Sequence, residues 1–252
     1  MKKQFLLLLL MTTSLFAAVA KPGRKPDPRL FELRVYYAPP GKFENIVDRF
    51  RQHTLKLFEK HGMENVGYWV PTDTTKHIIY YILAYPNREA RDASWKAFGS
   101  DPAWKEVVAK TEANGKIVQK VETYFMTTTD FSPALKLKKK SPERTFELRT
   151  YTGTPGHIED VLARFRNHTT KLFEKHGMEN IVYFTTVEKD GAQSKLIYLL
   201  AHKSEQAGKE SFDSFRKDPN WIKVRDESEK AGKIVEKVES VYLKPTDYSP
   251  MK

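Results

Sequence analysis

The chain has no cysteine. Disulfides, thiolate nucleophiles and thiolate metal sites are excluded together, so stability must come from packing. It also lacks a glycine-rich phosphate loop, a nucleophile elbow and any paired-carboxylate spacing, the patterns that would announce phosphoryl or hydrolytic chemistry. Lys and Arg exceed Asp and Glu by 43 to 32, a formal charge of +11. Yet no stripe of basic residues interleaves with aromatics, so no nucleic-acid partner is expected. Long apolar runs are missing except Phe5 to Met11, which follows Lys2 and Lys3 and precedes Ala18-Val19-Ala20.

That run is too short for a comfortable membrane span. It reads as the core of a signal peptide over residues 1–20, cleaved after Ala20. No cysteine follows the cleavage site to carry a lipid, so the expectation is export, to a periplasm or beyond. Cleavage removes Lys2 and Lys3 and no acid, which lowers the charge from +11 to +9. Part of the excess sits at Lys136, Lys138, Lys139 and Lys140. A weak, generic attraction to anionic envelope surfaces follows.

What the chain does contain is itself twice. Lys56 to Asn65 recurs letter for letter as Lys171 to Asn180, 115 positions downstream. Phe31-Glu32-Leu33-Arg34 returns as Phe146-Glu147-Leu148-Arg149 at the same offset. Beyond Asp101-Pro102 and Trp104, repeated as Asp218-Pro219 and Trp221, the offset is 117. The two extra residues fall near Lys189-Asp190-Gly191, which reads as a hairpin turn. The domains are therefore 29–131 and 144–250, with 132–143 as a basic, proline-flanked, solvated linker.

Each copy shows one order of elements. Phe31 to Tyr37 alternates as a strand does. Phe43, Ile46, Val47, Phe50, Thr54, Leu57 and Phe58 form one stripe of a 3.6-residue period, a helix stopped at Gly62. Val66 to Val70 and His77 to Tyr85 are the next strands. Arg88 to Phe98 is helical, Asp101-Pro102 caps and opens another helix, and Ile117 to Met126 is the last strand. The order β-α-β-β-α-β is the ferredoxin-like split unit. Its four-stranded sheet keeps helices on one face and leaves the other bare. The fold class is thus α+β: two ferredoxin-like repeats packed sheet to sheet, an intramolecular pseudo-dimer that leaves higher oligomers open.

The F-E-L-R-x-Y strands at Phe31–Tyr36 and Phe146–Tyr151, the helix ends at Arg51–Met63 and Arg166–Met178, and the D-P-x-W starts at Asp101–Trp104 and Asp218–Trp221 resemble the NIPSNAP family. The resemblance implies a dimeric α/β barrel, here with both halves fused. Relatives of that fold include cofactor-free monooxygenases and haem-handling enzymes. The family supplies no catalytic residues to carry over. Its eukaryotic members linked to mitochondria and vesicle traffic imply a role that an exported chain would not share.

In the first strand Phe31, Leu33 and Val35 share one face, and Glu32, Arg34 and Tyr36 the other. If the apolar face meets the helices, the polar trio enters the space between the sheets, opposed by Glu147, Arg149 and Tyr151. Buried charges there must pair with each other or meet a polar ligand. Tyr68 and Tyr183 either line the same lumen or pack between the sheets. His53 and His168 are weaker candidates, while His61 and His176 suit a helix C-terminus. No metal site and no cofactor is expected. The functional expectation is a non-catalytic module that binds a small acidic or aromatic ligand or another partner. The alternative is a monooxygenase- or isomerase-like enzyme that uses Arg34, Tyr36 and their copies. Val35 against Thr150 and Tyr37 against Thr152 indicate that a site survives in one half only.

Overall fold

The computed structural model describes residues 25–137, 144–187 and 193–252. The expected signal peptide, the linker from 138 onward and the Lys189–Gly191 turn lie outside them. The first half contains β1 (Leu30–Tyr37), α1 (Phe43–Arg49), α2 (Leu55–Lys60), β2 (Glu64–Pro71), β3 (Ile78–Tyr85), α3 (Arg88–Ser100), α4 (Pro102–Thr111) and β4 (Lys120–Thr128). The second repeats them as β5 (Thr145–Gly153), α5 (Ile158–Arg164), α6 (Thr170–Lys175), β6 (Glu179–Thr186), β7 (Lys195–His202), α7 (Glu205–Arg216), α8 (Pro219–Ser228) and β8 (Val235–Pro245).

The single helix expected from Phe43 to Phe58 is broken by a π turn at Phe50–Thr54, and its copy by another at Phe165–Thr169. The Thr54 hydroxyl donates to the Arg49 carbonyl five residues back at 3.1 Å, and Thr169 does the same to Arg164 at 3.2 Å. Such back-bonding accommodates the wider turn. Phe50 and Phe58 both remain on the sheet. The helix stops at Gly62, φ +76°, as its copy does at Gly177, φ +77°, the left-handed geometry that glycine adopts without strain. Asp101 caps α4 through the Ala103 N–H at 2.9 Å, and its other oxygen lies 2.7 Å from both Lys60 Nζ and His61 Nε2. Lys175, His176 and Asp218 repeat the clamp.

The strands close into an eight-stranded antiparallel barrel in the order β1-β3-β2-β8-β5-β7-β6-β4. Each half supplies a four-stranded sheet, and the halves join where β2 meets β8 and β4 meets β6, through three residue pairs at each seam. The first parts of β4 and β8 run past these seams. Inside the barrel, Phe31 packs tilted against Phe184 with centroids 4.9 Å apart, and Trp69 against Phe146 at 5.8 Å. The lumen core of Phe31, Leu33, Val66, Ile82, Phe146, Leu148, Val182 and Leu199 draws on both halves. Burying these bare faces against each other is what unites the repeats.

A second device crosses the seams. After β4, Thr129 donates its N–H to the Tyr183 carbonyl at 3.0 Å, and the Tyr183 N–H donates to the Ser132 hydroxyl at 3.0 Å. After β8, Thr246 and Ser249 make the same pair of bonds to Tyr68, both at 2.9 Å. Arg166 clamps Asp130 and Arg51 clamps Asp247. Each half thus ends in a short arm laid on its sibling. Ser132, read from sequence as the start of a solvated linker, is buried instead, because a peptide N–H on the opposite sheet needs its hydroxyl. Ser132→Ala and Ser249→Ala are each expected to leave a buried N–H unpaired and cost about 1–3 kcal/mol in urea unfolding. A loss below the error of that measurement would remove the arms from the account of stability.

Candidate functional site

Glu32, Arg34 and Tyr36 do not enter the lumen. The apolar residues of β1 do, and the polar trio faces the helices, which reverses the expected assignment. The physical reason lies in α3, which brings matching polar groups to that side. Glu32 is wholly buried and accepts from Arg34 Nη1 at 2.7 Å, Arg91 Nη2 at 2.8 Å and Nε at 3.0 Å, the Tyr85 hydroxyl at 3.0 Å and Trp95 Nε1 at 3.1 Å. The Arg34 guanidinium stacks 4.3 Å from the Trp95 ring and reaches the Tyr36 hydroxyl at 3.3 Å. Burial pushes the Glu32 carboxyl up, but the Arg91 and Arg34 guanidiniums outweigh it and hold the group below the usual carboxylate range. Tyr68 lies in the same layer and donates to Asn65.

The second half keeps the carboxylate and changes its surroundings. Glu147 accepts from Arg149 Nη1 at 2.6 Å and the Ser240 hydroxyl at 2.5 Å, and His202 Nε2 lies 2.9 Å away. Burial again opposes ionisation; His202, Arg149 and Ser240 outweigh it. Arg149 also reaches the Tyr198 and Tyr151 hydroxyls at 3.1 and 3.5 Å. Where the first half has Arg91 the second has Gly208. A Cβ there would come within 2.9 Å of the Tyr242 ring and 3.0 Å of His202, so those two rings occupy the space the arginine would need. Tyr183 donates to Asn180, the counterpart of the Tyr68 bond. In each half the sequence-named Glu, Arg and Tyr of the first strand are brought together as a trio, but under the helices and on opposite outer faces of the barrel.

His53 is half-buried and His168 exposed, each within its π turn. Neither joins the carboxylate clusters. Among the described residues no group of three or more His, Asp or Glu is arranged to hold a metal ion.

Open space lies elsewhere, in several hollows of about 220 to 480 Å³. At the end of the barrel where β1 and β5 finish, a cavity of about 220 Å³ opens between the halves. Its floor is Leu33, Val35, Leu148 and Val241; its first-half wall is Tyr37, Tyr80, Glu122 and Tyr124; Thr150 and Glu239 face them. Strand register explains the wall. Val35 lies between Tyr80 on β3 and Glu122 on β4, and Thr150 between Ile197 on β7 and Glu239 on β8. The two glutamates are repeat mates, whereas the tyrosines correspond to Thr152, Ile197 and Val241 at the matching places of the second half. Glu122 accepts from the hydroxyls of Tyr37 at 3.1 Å and Tyr124 at 3.3 Å and from Lys120 Nζ at 2.6 Å. Lys120 holds its carboxyl below the usual range. Burial first and Glu122 second push Tyr37 and Tyr124 up to about 12.

Sequence reasoning missed Tyr80, Glu122, Tyr124 and Glu239. The usable signal was the divergence of Val35 and Tyr37 from Thr150 and Thr152, since three of those four positions border the cavity.

A closed barrel of two fused ferredoxin-like halves defines a single-chain dimeric α/β barrel. The NIPSNAP family profile matches residues 31–133 and 146–250, and the chain belongs to that family. It is 24% identical to Protein NipSnap homolog 3B of Mus musculus over 246 residues, covering 96% of this chain and 94% of that one. It is 29% identical to Protein NipSnap homolog 3A of Homo sapiens over 141 residues, covering 56% of this chain and about half, 54%, of that protein. A solved structure of an anthrone oxidase-like protein shares the fold with a TM-score of 0.56 at 13% identity, over 90% of this chain and 95% of that one.

Proposed function

We propose that the chain is an exported NIPSNAP module that binds a small molecule at the barrel mouth without transforming it. The observation that carries this reading is the contrast between its two polar regions. Under the helices, Glu32 and Glu147 are closed in by groups of their own chain, whereas the mouth holds about 220 Å³ of open space between two unlike walls. That volume is below the range typical of drug-sized ligands, so the occupant is about the size of a single ring. Tyr37 and Tyr124, pushed up to about 12, stay protonated at neutral pH with their protons donated to Glu122, so neither is a base. An acidic ligand loses its support, because Arg34 and Arg149 face the helices; an aromatic one keeps it. Export rests on the pattern of residues 1–20.

Thermal-shift screening of residues 21–252 against neutral and charged single-ring compounds tests the binding. Some are expected to raise the melting temperature of the wild type. Thr150→Phe, which fills the cavity from β5, should erase those shifts while leaving the unliganded protein folded. Undiminished shifts in the plugged variant, or no shift with any compound, would sink the proposal. Recovery from the cell envelope with Lys21 as the first residue supports export; a full-length cytoplasmic product refutes it.

A further inference from the structure

Building on the barrel-mouth reading, we propose that the cavity selects a small organic cation, a single-ring amine or a quaternary ammonium, held between tyrosine ring faces and the Glu122 carboxylate. Three observations converge on this chemistry. First, the wall is not imposed by the repeat. The second half builds the same strands with Thr152, Ile197 and Val241 where the first has Tyr37, Tyr80 and Tyr124, so three aromatic rings on one side are a departure from what the fold needs.

Second, the acidic groups are present from both halves. Glu122 and Glu239 stand on β4 and β8, on opposite sides of the barrel, and both border the cavity. Two carboxylates facing one space repel an anionic ligand and attract a cation. Third, a cation of the chain itself already uses this arrangement. Lys120 Nζ lies 4.9 Å from the centroid of the Tyr37 ring and 2.6 Å from Glu122. A positive group shared by an aromatic face and a carboxylate is the geometry that quaternary ammonium sites use. Lys237 holds Glu239 at 2.7 Å on the exposed side. Both lysines are largely solvated, so a ligand ammonium competes with flexible, hydrated side chains rather than with a fixed buried pair. The aliphatic floor of Leu33, Val35, Leu148 and Val241 would take the apolar body of the ligand.

The test compares three compounds of one shape by calorimetry at low salt: phenethylamine, phenethyl alcohol and phenylacetate, with tetramethylammonium as the smallest cation. Phenethylamine is expected to bind roughly tenfold more tightly than the alcohol, and phenylacetate not measurably. Glu122→Gln should remove most of that preference. Lys120→Met, which deletes the competing cation at a position that does not itself line the cavity, should tighten phenethylamine binding and leave the alcohol unchanged. Equal affinity for amine and alcohol, both abolished by Thr150→Phe, would overturn the cation inference while leaving the barrel mouth as a binding site. Tighter binding of phenylacetate would overturn it as well. Failure of all four compounds, with none of the screened rings binding either, would overturn both.

Discussion

Glu32→Ala is expected to destabilise the chain by about 3–5 kcal/mol, the usual cost of removing one partner from a buried ion pair. At about 2–4 °C per kcal/mol for a protein of this size, the melting temperature should fall by roughly 6–20 °C. The loss arises because Arg34, 13% exposed at the side chain, loses its carboxylate partner, and Arg91, 17% exposed, keeps only the exposed Asp92 at 3.0 Å. Glu147→Ala should cost less. It strands Arg149 alone, whereas Glu32→Ala strands Arg34 and removes the buried partner of Arg91 as well. The acid limb follows from the same contacts. Glu32 and Glu147 are held below the usual carboxylate range in the folded chain. Their contribution is therefore complete above the unfolded glutamate value of about 4.3 and is lost as pH falls through the folded one. Melting temperature should be flat from neutrality down to about pH 5 and drop below about pH 4, with a shallower drop in Glu32→Gln. Equal losses for the two alanine variants, or a melting point insensitive to Glu32, would contradict the charge balance described for the two halves.

Gly67→Val is the second substitution with a large expected effect. Gly67 lies at the β2 bulge, and a Cβ on it would fall 2.2 Å from the Trp69 ring, far inside contact distance. Trp69 is buried against Phe146 across the lumen, so it has no free direction in which to yield. Overpacking of this kind costs about 3 kcal/mol. The second half holds the answer to the clash: Val182 stands at the matching bulge, and its neighbour is the smaller Phe184. Gly67→Val with Trp69→Phe should therefore recover most of the stability lost by Gly67→Val alone. A double-mutant cycle in chemical denaturation measures the coupling, expected at about 1–3 kcal/mol. Additive losses would mean that the two positions do not share the space assigned to them.

The repeat, the element order and the closed barrel were legible because periodicity and duplication are local properties of the chain. The orientation of β1 was not. Phe31, Leu33 and Val35 could equally have met helices or a facing sheet, and Ile78 to Tyr85 is apolar on both faces, so neither strand reveals which side is which. Only the partners do, and Arg91 and Trp95 lie about sixty residues from Glu32. The π turn at Phe50 was hidden for a different reason: one additional residue within a turn shifts the stripe too little to disturb a 3.6-residue reading. The mouth stayed unseen because its polar groups are contributed by five strands of two halves. Glu122 and Tyr124, taken alone, read as the solvated side of an ordinary strand.

Two separate copies of one polypeptide, related by a two-fold axis, must carry every substitution twice. A ring that improves grip on one side of their shared opening also narrows the other side. Writing both copies into a single gene product lifts that restriction. Here it lets the first half carry Tyr37, Tyr80 and Tyr124 where the second carries Thr152, Ile197 and Val241, so one rim is free to grasp while its twin leaves clearance, a division of labour closed to any homodimer.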